Sequence, residues 1–535
     1  MGDDVLARAA PIEPAARAPP ALLAGGACTP RRLAALAKRA AMANNLRMPF
    51  AFDCSYRRLP ERFYARVHPT PVGRPALLAI NDELAETLGL TREELSSEQG
   101  IATLAGNHIP EGADPIALAY AGHQFGNFVP QLGDGRAILL GEVIGRDGKR
   151  RDVQLKGSGR TPFSRGGDGR AAIGPVLREY VVSEAMFALG VPTTRALAAV
   201  VTGERVYRET PLKGAVLTRI AASHLRVGTF EYFAARQDRE ALVTLVDYAL
   251  ARHYPDAPKQ EEPALALLES VMAAQITLVA RWLSLGFVHG VMNTDNTSIS
   301  GETIDYGPCA FLDAYDPART FSSIDRGGRY AFGNQPRIAL WNLARLAETL
   351  LPLVGDGEER AIAVVTERLE TFPARFAAAY DAELRKKLGL TTEREGDSAL
   401  AHDLLNRMGA AKADYTLCFR RLSEVAAGGD DARVGALFPE PEVFAEWARA
   451  YRARLAQDPL STSERVALMR HASPAFIPRN HRVEEMIAAA TNGDLGPFER
   501  LRRALARPYE DQPEATALQA PPGEEQWRYR TFCGT

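Results

Sequence analysis

One stretch of the chain, residues 289–308 with the sequence HGVMNTDNTSISGETIDYGP, limits what the rest can fold into. It opens with a histidine, reaches Asp295-Asn296, and comes back through an expected strand to Asp305-Tyr306-Gly307. Asn296 and Asp305 lie nine residues apart, with Thr297, Ser298 and Gly301 between them. A short hairpin over that distance would bring both onto one ion. Hard divalent cations take oxygen ligands, few of them from the protein and the rest from phosphate and water. Protein kinases follow the same plan: an H-R-D loop, an Asn that holds metal, then the Asp of D-F-G. Counted from His289, Asn296 falls where that loop keeps its Asn. The position of the kinase base, two residues after the histidine, is Val291. The stretch reads as a kinase-type metal site without the kinase base, and His289 as a loop-packing residue.

Upstream segments keep the same order. In 129–145, VPQLGDGRAILLGEVIG, apolar residues flank Gly133-Asp134-Gly135-Arg136, which predicts strand, glycine turn, strand. The next strand, DVQLKGSGR, carries Lys156. A glycine-cornered turn followed by a strand with a lone Lys is the order in which kinases cover and clamp nucleotide phosphates. The loop GSGRTPFSRGGDGRAAIG brings Arg160, Arg165 and Arg170 beside flexible glycines, a composition suited to an anion cradle. Pro175 should open a helix that Gly190 closes, with Leu177, Val181, Ala185 and Ala188 as its buried stripe. Glu179 in its first turn is the candidate partner of Lys156. TTRALAAVVTGERVYRE predicts a hairpin turning at Thr202-Gly203-Glu204, and GAVLTRIAA a further strand. Arg219 and Arg226 follow; phosphate binding and surface ion pairing are both open to them.

The second half is helical. ALLESVMAAQITLVARWLSLG places Leu268, Val271, Met272, Gln275, Leu278, Val279 and Trp282 on one face and stops at Gly286. RIALWNLARLAETLLPL and EERAIAVVTERLETFPARFAAAYDAELRKKL repeat the helical period. The fold class expected is α+β, a protein-kinase-like bilobal fold with a small β-rich N-lobe of about five strands and one helix, and a large helical C-lobe. The boundaries expected are an extension over 1–48, a nucleotide-binding N-lobe over 49–230, a C-lobe with the metal loop over 231–507, and an extended tail over 508–535. The Ala-, Pro- and Arg-rich start reads as a disordered extension or an over-long start ahead of Met42 or Met48, since Pro11, Pro14, Pro19 and Pro20 break any amphipathic helix.

Charge and cysteine content remove other classes. A net charge of −2 gives no reason to expect nucleic acid as partner. No run of apolar residues is read as long enough to cross a bilayer, so no membrane partner is expected. Five scattered cysteines (Cys28, Cys54, Cys309, Cys418, Cys533) without a CxxC pair argue against zinc or a disulfide framework and for a reducing compartment. The default location is the cytoplasm, and a monomer is expected.

Lys156, a helix Glu, Asn296 and Asp305 in that order argue for ATP with a divalent metal, Mg2+ or Mn2+. With Val291 at the base position, Asp295 is the nearest carboxylate able to accept a proton, the competing reading being a loop Asp in an Asx-type turn. At this level of detail the chain resembles a known family. YAGHQFGNFVPQLGDGRAILLGEV, DVQLKGSGRTPFSRGGDGRAA, HGVMNTDNTSISGETIDYGP and FGNQPRIALWNLARLAETL closely resemble the selenoprotein O family of pseudokinases, from about residue 49 to the tail. The resemblance implies a kinase-like fold that transfers AMP from ATP to Ser, Thr or Tyr hydroxyls of other proteins and releases pyrophosphate, with the nucleotide reversed relative to kinases.

Carried over by motif, Gly133, Gly135 and Arg136 match the family's nucleotide-binding turn. Lys156, Asp168, Gly169, Arg219 and Arg226 match its other nucleotide contacts, and Glu179 the Lys partner. Asp295 matches the proton acceptor, and Asn296 and Asp305 the magnesium ligands, Asp305 also lying near the nucleotide. Some members pair a cysteine of the activation-loop region with the C-terminal one. Here YDPARTFSSIDRGGRY has none, which leaves Cys533 without that partner and Cys309 as an unproven substitute. The sequence leaves UTP open as an alternative donor. The competing readings are a conventional phosphotransferase, disfavoured by Val291, and a catalytically dead nucleotide-binding scaffold, disfavoured by the joint presence of Lys156, Asn296 and Asp305.

Overall fold

The strands are short runs of Val, Ile, Leu and Ala, and their pairing places the residues singled out above. The computed structural model describes residues 50–258, 261–355, 357–523 and 531; the expected 1–48 extension and Cys533 lie outside the described residues. The strands are β1 (Tyr64–Arg66), β2 (Ala76–Ile80), β3 (Ile116–Leu118), β4 (Gly122–Gln124), β5 (Asn127–Val129), β6 (Ala137–Ile144), β7 (Arg150–Lys156), β8 (Ala171–Ala172), β9 (Arg195–Tyr207) and β10 (Pro211–Ala221). The main sheet has the order β1-β3-β6-β7-β10-β9-β2, with β8 added on β10; β4 and β5 form a hairpin of their own. The sheet therefore has eight strands rather than about five. The ladder β6-β7-β10 sets Arg219 opposite Gln154, one residue over from the Leu155–Thr218 pair, and Lys156 opposite Leu217 and Ala137.

Two expected hairpins are corrected. The Gly133-Asp134-Gly135 turn does not join two paired neighbours: β5 turns back on β4, and Leu132 and Asp134 donate backbone N–H groups to Tyr120 and Leu118. The strand leading to the turn is thus β3, with the β4–β5 hairpin inserted ahead of the glycines. Thr202-Gly203-Glu204 is not a turn but a bulge within the 13-residue β9, where the pairing with β10 shifts register between Lys213 and Ala215. Gly203 sits at φ +73, and a Cβ there would meet the Arg74 carbonyl at 2.8 Å. The chain actually reverses after Tyr207, before β10 begins.

A helix spans Ile173–Ala188, starting two residues before Pro175, so Glu179 lies in its second turn and is 5% exposed. One flank of this helix packs on the sheet. The other packs on helices Asn480–Thr491 and Gly496–Leu505, with Tyr180 edge-on to Phe498 at 5.7 Å.

The remainder is helical apart from a short ladder pairing Phe287–Val288 with Ala310–Phe311, and it cradles 289–308. Helix Pro263–Leu285 buries all seven residues expected on its face and ends at left-handed Gly286. It is also long and apolar enough to cross a membrane by length and composition, contrary to the expectation that no segment is; most of it is buried in the core. Gln275 donates to the Ser298 carbonyl and Trp282 to the Thr303 hydroxyl, while the Trp282 ring stacks on His289. From helix Gln335–Leu350, Gln335 accepts from His289 N, and Asn342 donates to the Met292 carbonyl and the Thr297 hydroxyl. These polar groups satisfy backbone that has no ladder of its own. The strand expected before Asp305 is only an isolated bridge between Thr303 and Thr193. The expected extended tail carries a 3-10 helix at Pro513–Gln519, and Thr531 pairs with Ser322.

Candidate active site

A cavity of about 1020 Å³ is lined by the twelve residues matched by motif, Gly133, Gly135, Arg136, Lys156, Asp168, Gly169, Glu179, Arg219, Arg226, Asp295, Asn296 and Asp305; of the expected anion cradle, Arg165 and Arg170 line it and Arg160 does not. One wall is an ion-pair cluster. Lys156 Nζ lies 2.7 Å from Glu179 Oε2 and 2.5 Å from Asp305 Oδ1. Arg219 Nη1 reaches the same Asp305 oxygen at 2.7 Å and Glu179 Oε1 at 3.2 Å, while its other face donates to Gln154 Oε1. Arg226 lies over the Tyr120 ring, donates to the Asp295 carbonyl at 2.8 Å, and stands 3.6 Å from Asp305 Oδ2. Burial alone would push the Asp305 carboxyl up; Lys156, Arg219 and Arg226 outweigh it and hold the group well below the usual carboxylate range. Asp305 also has φ +63, a conformation that non-glycine residues adopt rarely and that clusters at functional sites.

A second wall is glycine and loop. Gly133 sits at φ +72, and a Cβ there would lie 2.2 Å from the Phe163 ring. Gly169, at φ +67, would drive a Cβ to 2.0 Å from the Gly159 carbonyl. Neither position admits a side chain without moving the loop. Asp168 is held by Arg208 through contacts of 2.8 and 3.1 Å, and this hydrogen-bonded partner lowers its carboxyl. Arg170, expected in an anion cradle, aims its guanidinium at the Thr70 and Pro71 carbonyls. Arg170 still lines the cavity, as Arg165 does, and Arg208, which nothing in the sequence singled out, joins them there.

The third feature is a carboxylate of opposite character. Asp295 is 7% exposed and, among the described residues, accepts one side-chain hydrogen bond, from Gln124 Nε2 to Oδ2 at 3.1 Å, while Oδ1 is buried without a partner. Burial pushes its carboxyl up to about 6, with Gln124 and Arg226 offsetting part of that rise. A carboxyl so poised is charged at neutral pH yet basic enough to take a proton.

The stretch that carries these residues lies within the part of the chain that resembles known proteins. A family model described as Protein adenylyltransferase SelO covers residues 47–506. The chain belongs to this family. The protein nucleotidyltransferase YdiU of a Bradyrhizobium strain, BTAi1, is 62% identical over 487 residues, covering 91% of this chain and 99% of the relative. Those of Methylorubrum populi (62% over 495 residues) and Rhodopseudomonas palustris strain BisB18 (59% over 487) cover the same shares. The chain is therefore an enzyme, a nucleotidyltransferase.

The donor set of this SelO-family site fits a hard divalent ion. Asn296 uses its amide nitrogen on the Val291 carbonyl, which leaves its amide oxygen for another partner, and Asp305 supplies carboxylate oxygen in the same cavity. Among the described residues no group of three or more His, Cys, Asp or Glu side chains could hold a metal by itself. That suits magnesium, which takes few protein ligands and completes its shell with phosphate and water. Val291 lines the cavity at the kinase-base position and offers no acid. Sequence reasoning missed Gln124, Asp134 and Gln154. Asp134, 2% exposed beneath the glycine turn, accepts from Leu118 N and Gln154 Nε2, and so ties that turn to the strand carrying Lys156. The carboxylate inside G-D-G could have hinted at this; a lone Gln carries no such signal.

Proposed function

We propose that this enzyme transfers AMP from ATP to Ser, Thr or Tyr hydroxyls of other proteins and releases pyrophosphate. The observation that carries the reading is the pairing, in one cavity, of two buried arginines and a half-buried lysine with a buried carboxylate whose Oδ1 has no partner among the described residues. The family description, which speaks of protein adenylyl transfer, points the same way.

Lys156, Arg219 and Arg226 neutralise phosphate oxygens, and the glycines at 133, 135 and 169 let backbone approach the nucleotide. Arg136 and Asp168 border it. Asn296 and Asp305 would hold Mg2+ or Mn2+; when bound, the ion offsets phosphate charge. Asp295 accepts the proton of the acceptor hydroxyl as its oxygen bonds to the α-phosphorus. The bond from that phosphorus to the β-bridging oxygen breaks, and the electron pair leaves with pyrophosphate. Glu179 keeps Lys156 in place. The sheet-bearing and helical parts would correspond to the two lobes of a kinase-like fold.

The test incubates the full chain with Mg2+, casein as a generic acceptor, and ATP labelled at the α- or the γ-phosphate. Label in protein from the α-position alone is expected. Label from the γ-position alone would make the enzyme a phosphotransferase and overturn the role given to Asp295; transfer from UTP but not ATP would replace the donor.

A further inference from the structure

The β4–β5 hairpin has no place in the reading above, yet three successive residues of it grip three successive residues of the Asp295 loop. His123 N donates to Thr294 Oγ1 at 2.7 Å, Gln124 Nε2 to Asp295 Oδ2 at 3.1 Å, and Phe125 N to Asn293 Oδ1 at 3.1 Å. Glu231 closes the set from the side, bound to His123 Nδ1 and to the Thr294 hydroxyl. The hairpin also approaches closely: a Cβ on Gly122 would stand 2.6 Å from Asp295 Oδ1. Among the described residues Gln124 is the one side chain that hydrogen-bonds the carboxylate, and both groups line the cavity.

We infer that Gln124 is a positioning residue: its amide pins Oδ2 of Asp295 and, with Gly122 closing on the buried Oδ1, holds the carboxylate in one orientation at the cavity wall for the acceptor hydroxyl. The inference rests on the proposed role of Asp295. A neutral amide suits the task. A lysine there would pair with the carboxylate and spend its basicity, and a glutamate would repel it, whereas an amide fixes the rotamer and leaves the charge in place. A kinase base is fixed by its own loop; here the candidate base sits beyond the usual position and is fixed from a hairpin 171 residues upstream.

The test measures α-labelled AMP transfer to casein by the full chain for Gln124→Met, which keeps length and removes the donor, for Asp295→Asn, and for the double variant. Gln124→Met should lower kcat about 10- to 100-fold while KM for ATP and the melting temperature stay put, the signature of a group needed only at the chemical step. In the Asp295→Asn background it should cost nothing further, because the two act as one unit. If methionine lowers the melting temperature, Gln124→Glu replaces it and must show the same loss of kcat. A Gln124→Met rate within about twofold of wild type, or an equal loss in both backgrounds, overturns the inference. Full transfer by Asp295→Asn alone removes the base reading and this one with it; an inactive Asp295→Asn beside a fully active Gln124→Met removes only the role of Gln124.

Discussion

The two sides of the cavity solve opposite electrostatic problems. On the side of the cation cluster, Lys156, Arg219, Glu179 and Asp305 already satisfy one another at 2.5–3.2 Å, a network in which each charge is partnered within the protein. At the Asp295 corner a single amide meets a carboxylate that is otherwise left bare. The first side is rigid and charged, which pre-organises donors where negative charge accumulates. The second keeps one group near its switching point. A pocket that only bound nucleotide would have no use for the second, which is why the contrast carries more functional weight than either half.

Asp305→Ala strikes the network at its most shared point and should have the largest effect. It removes the acceptor common to Lys156 and Arg219 and leaves Glu179 to hold both cations alone; breaking a buried pair in this way typically costs about 3–5 kcal/mol. Metal-dependent ATP binding, read by calorimetry with Mg2+ and with EDTA, should vanish along with transfer, and the melting temperature should fall. Wild-type ATP affinity in this variant would show that the cluster is structural and break the comparison.

Gly133→Val probes the glycine wall and should do less. The added side chain collides with the Phe163 ring in a backbone conformation that valine avoids, an overpacking strain of about 1–3 kcal/mol. The expected result is a KM for ATP raised about tenfold with kcat nearly unchanged, the pattern of lost ground-state binding. A fall in kcat at constant KM would mean that the turn acts on the chemical step and not on nucleotide binding.

The meeting of the cation cluster in one cavity was largely legible in the sequence because its members are charged residues in a fixed order on elements with clear signals. Lys156 ends an apolar strand, Glu179 rides a periodic helix, and Asn296 and Asp305 flank one loop. The Asp295 corner was only half legible. Asp295 could be nominated as a carboxylate near an empty base position, but the hairpin that grips it is joined to it by contacts across roughly 170 residues, and no periodicity reports long-range pairing. Local pattern also misplaced two turns. Thr-Gly-Glu at 202–204 has the composition of a hairpin turn, and Gly203 does need positive φ, yet pairing with β10 on both sides makes it a bulge. The stretch GDG kept its role at the cavity while its strand partner proved to be β3, because an inserted hairpin is invisible to a window of that width.

The smallest expected effect comes from Arg178, one residue before Glu179, and it tests whether the two sides are anchored separately. Its guanidinium donates to the Gly307 and Cys309 carbonyls at 3.0 and 3.2 Å and to Asn480 Oδ1, so it joins the Glu179 helix, the segment after Asp305 and the Asn480–Thr491 helix. Among the described residues none of its hydrogen-bond partners belongs to the Asp295 corner, which hangs instead on the β4–β5 hairpin and on Asn342 of the Gln335–Leu350 helix. Arg178→Ala should therefore loosen the Lys156–Glu179–Asp305 geometry and raise the Kd for ATP a few-fold, a loss of about 1 kcal/mol in keeping with hydrogen bonds from a charged donor to backbone. The rate of AMP transfer at saturating ATP should stay within about twofold, because Asp295 keeps its own supports. Titration calorimetry together with initial rates at saturating ATP separates the two. A fall in the saturated rate larger than the loss of affinity would show that the cation cluster and Asp295 move as one body, and that their opposite electrostatics arise from a single shared scaffold.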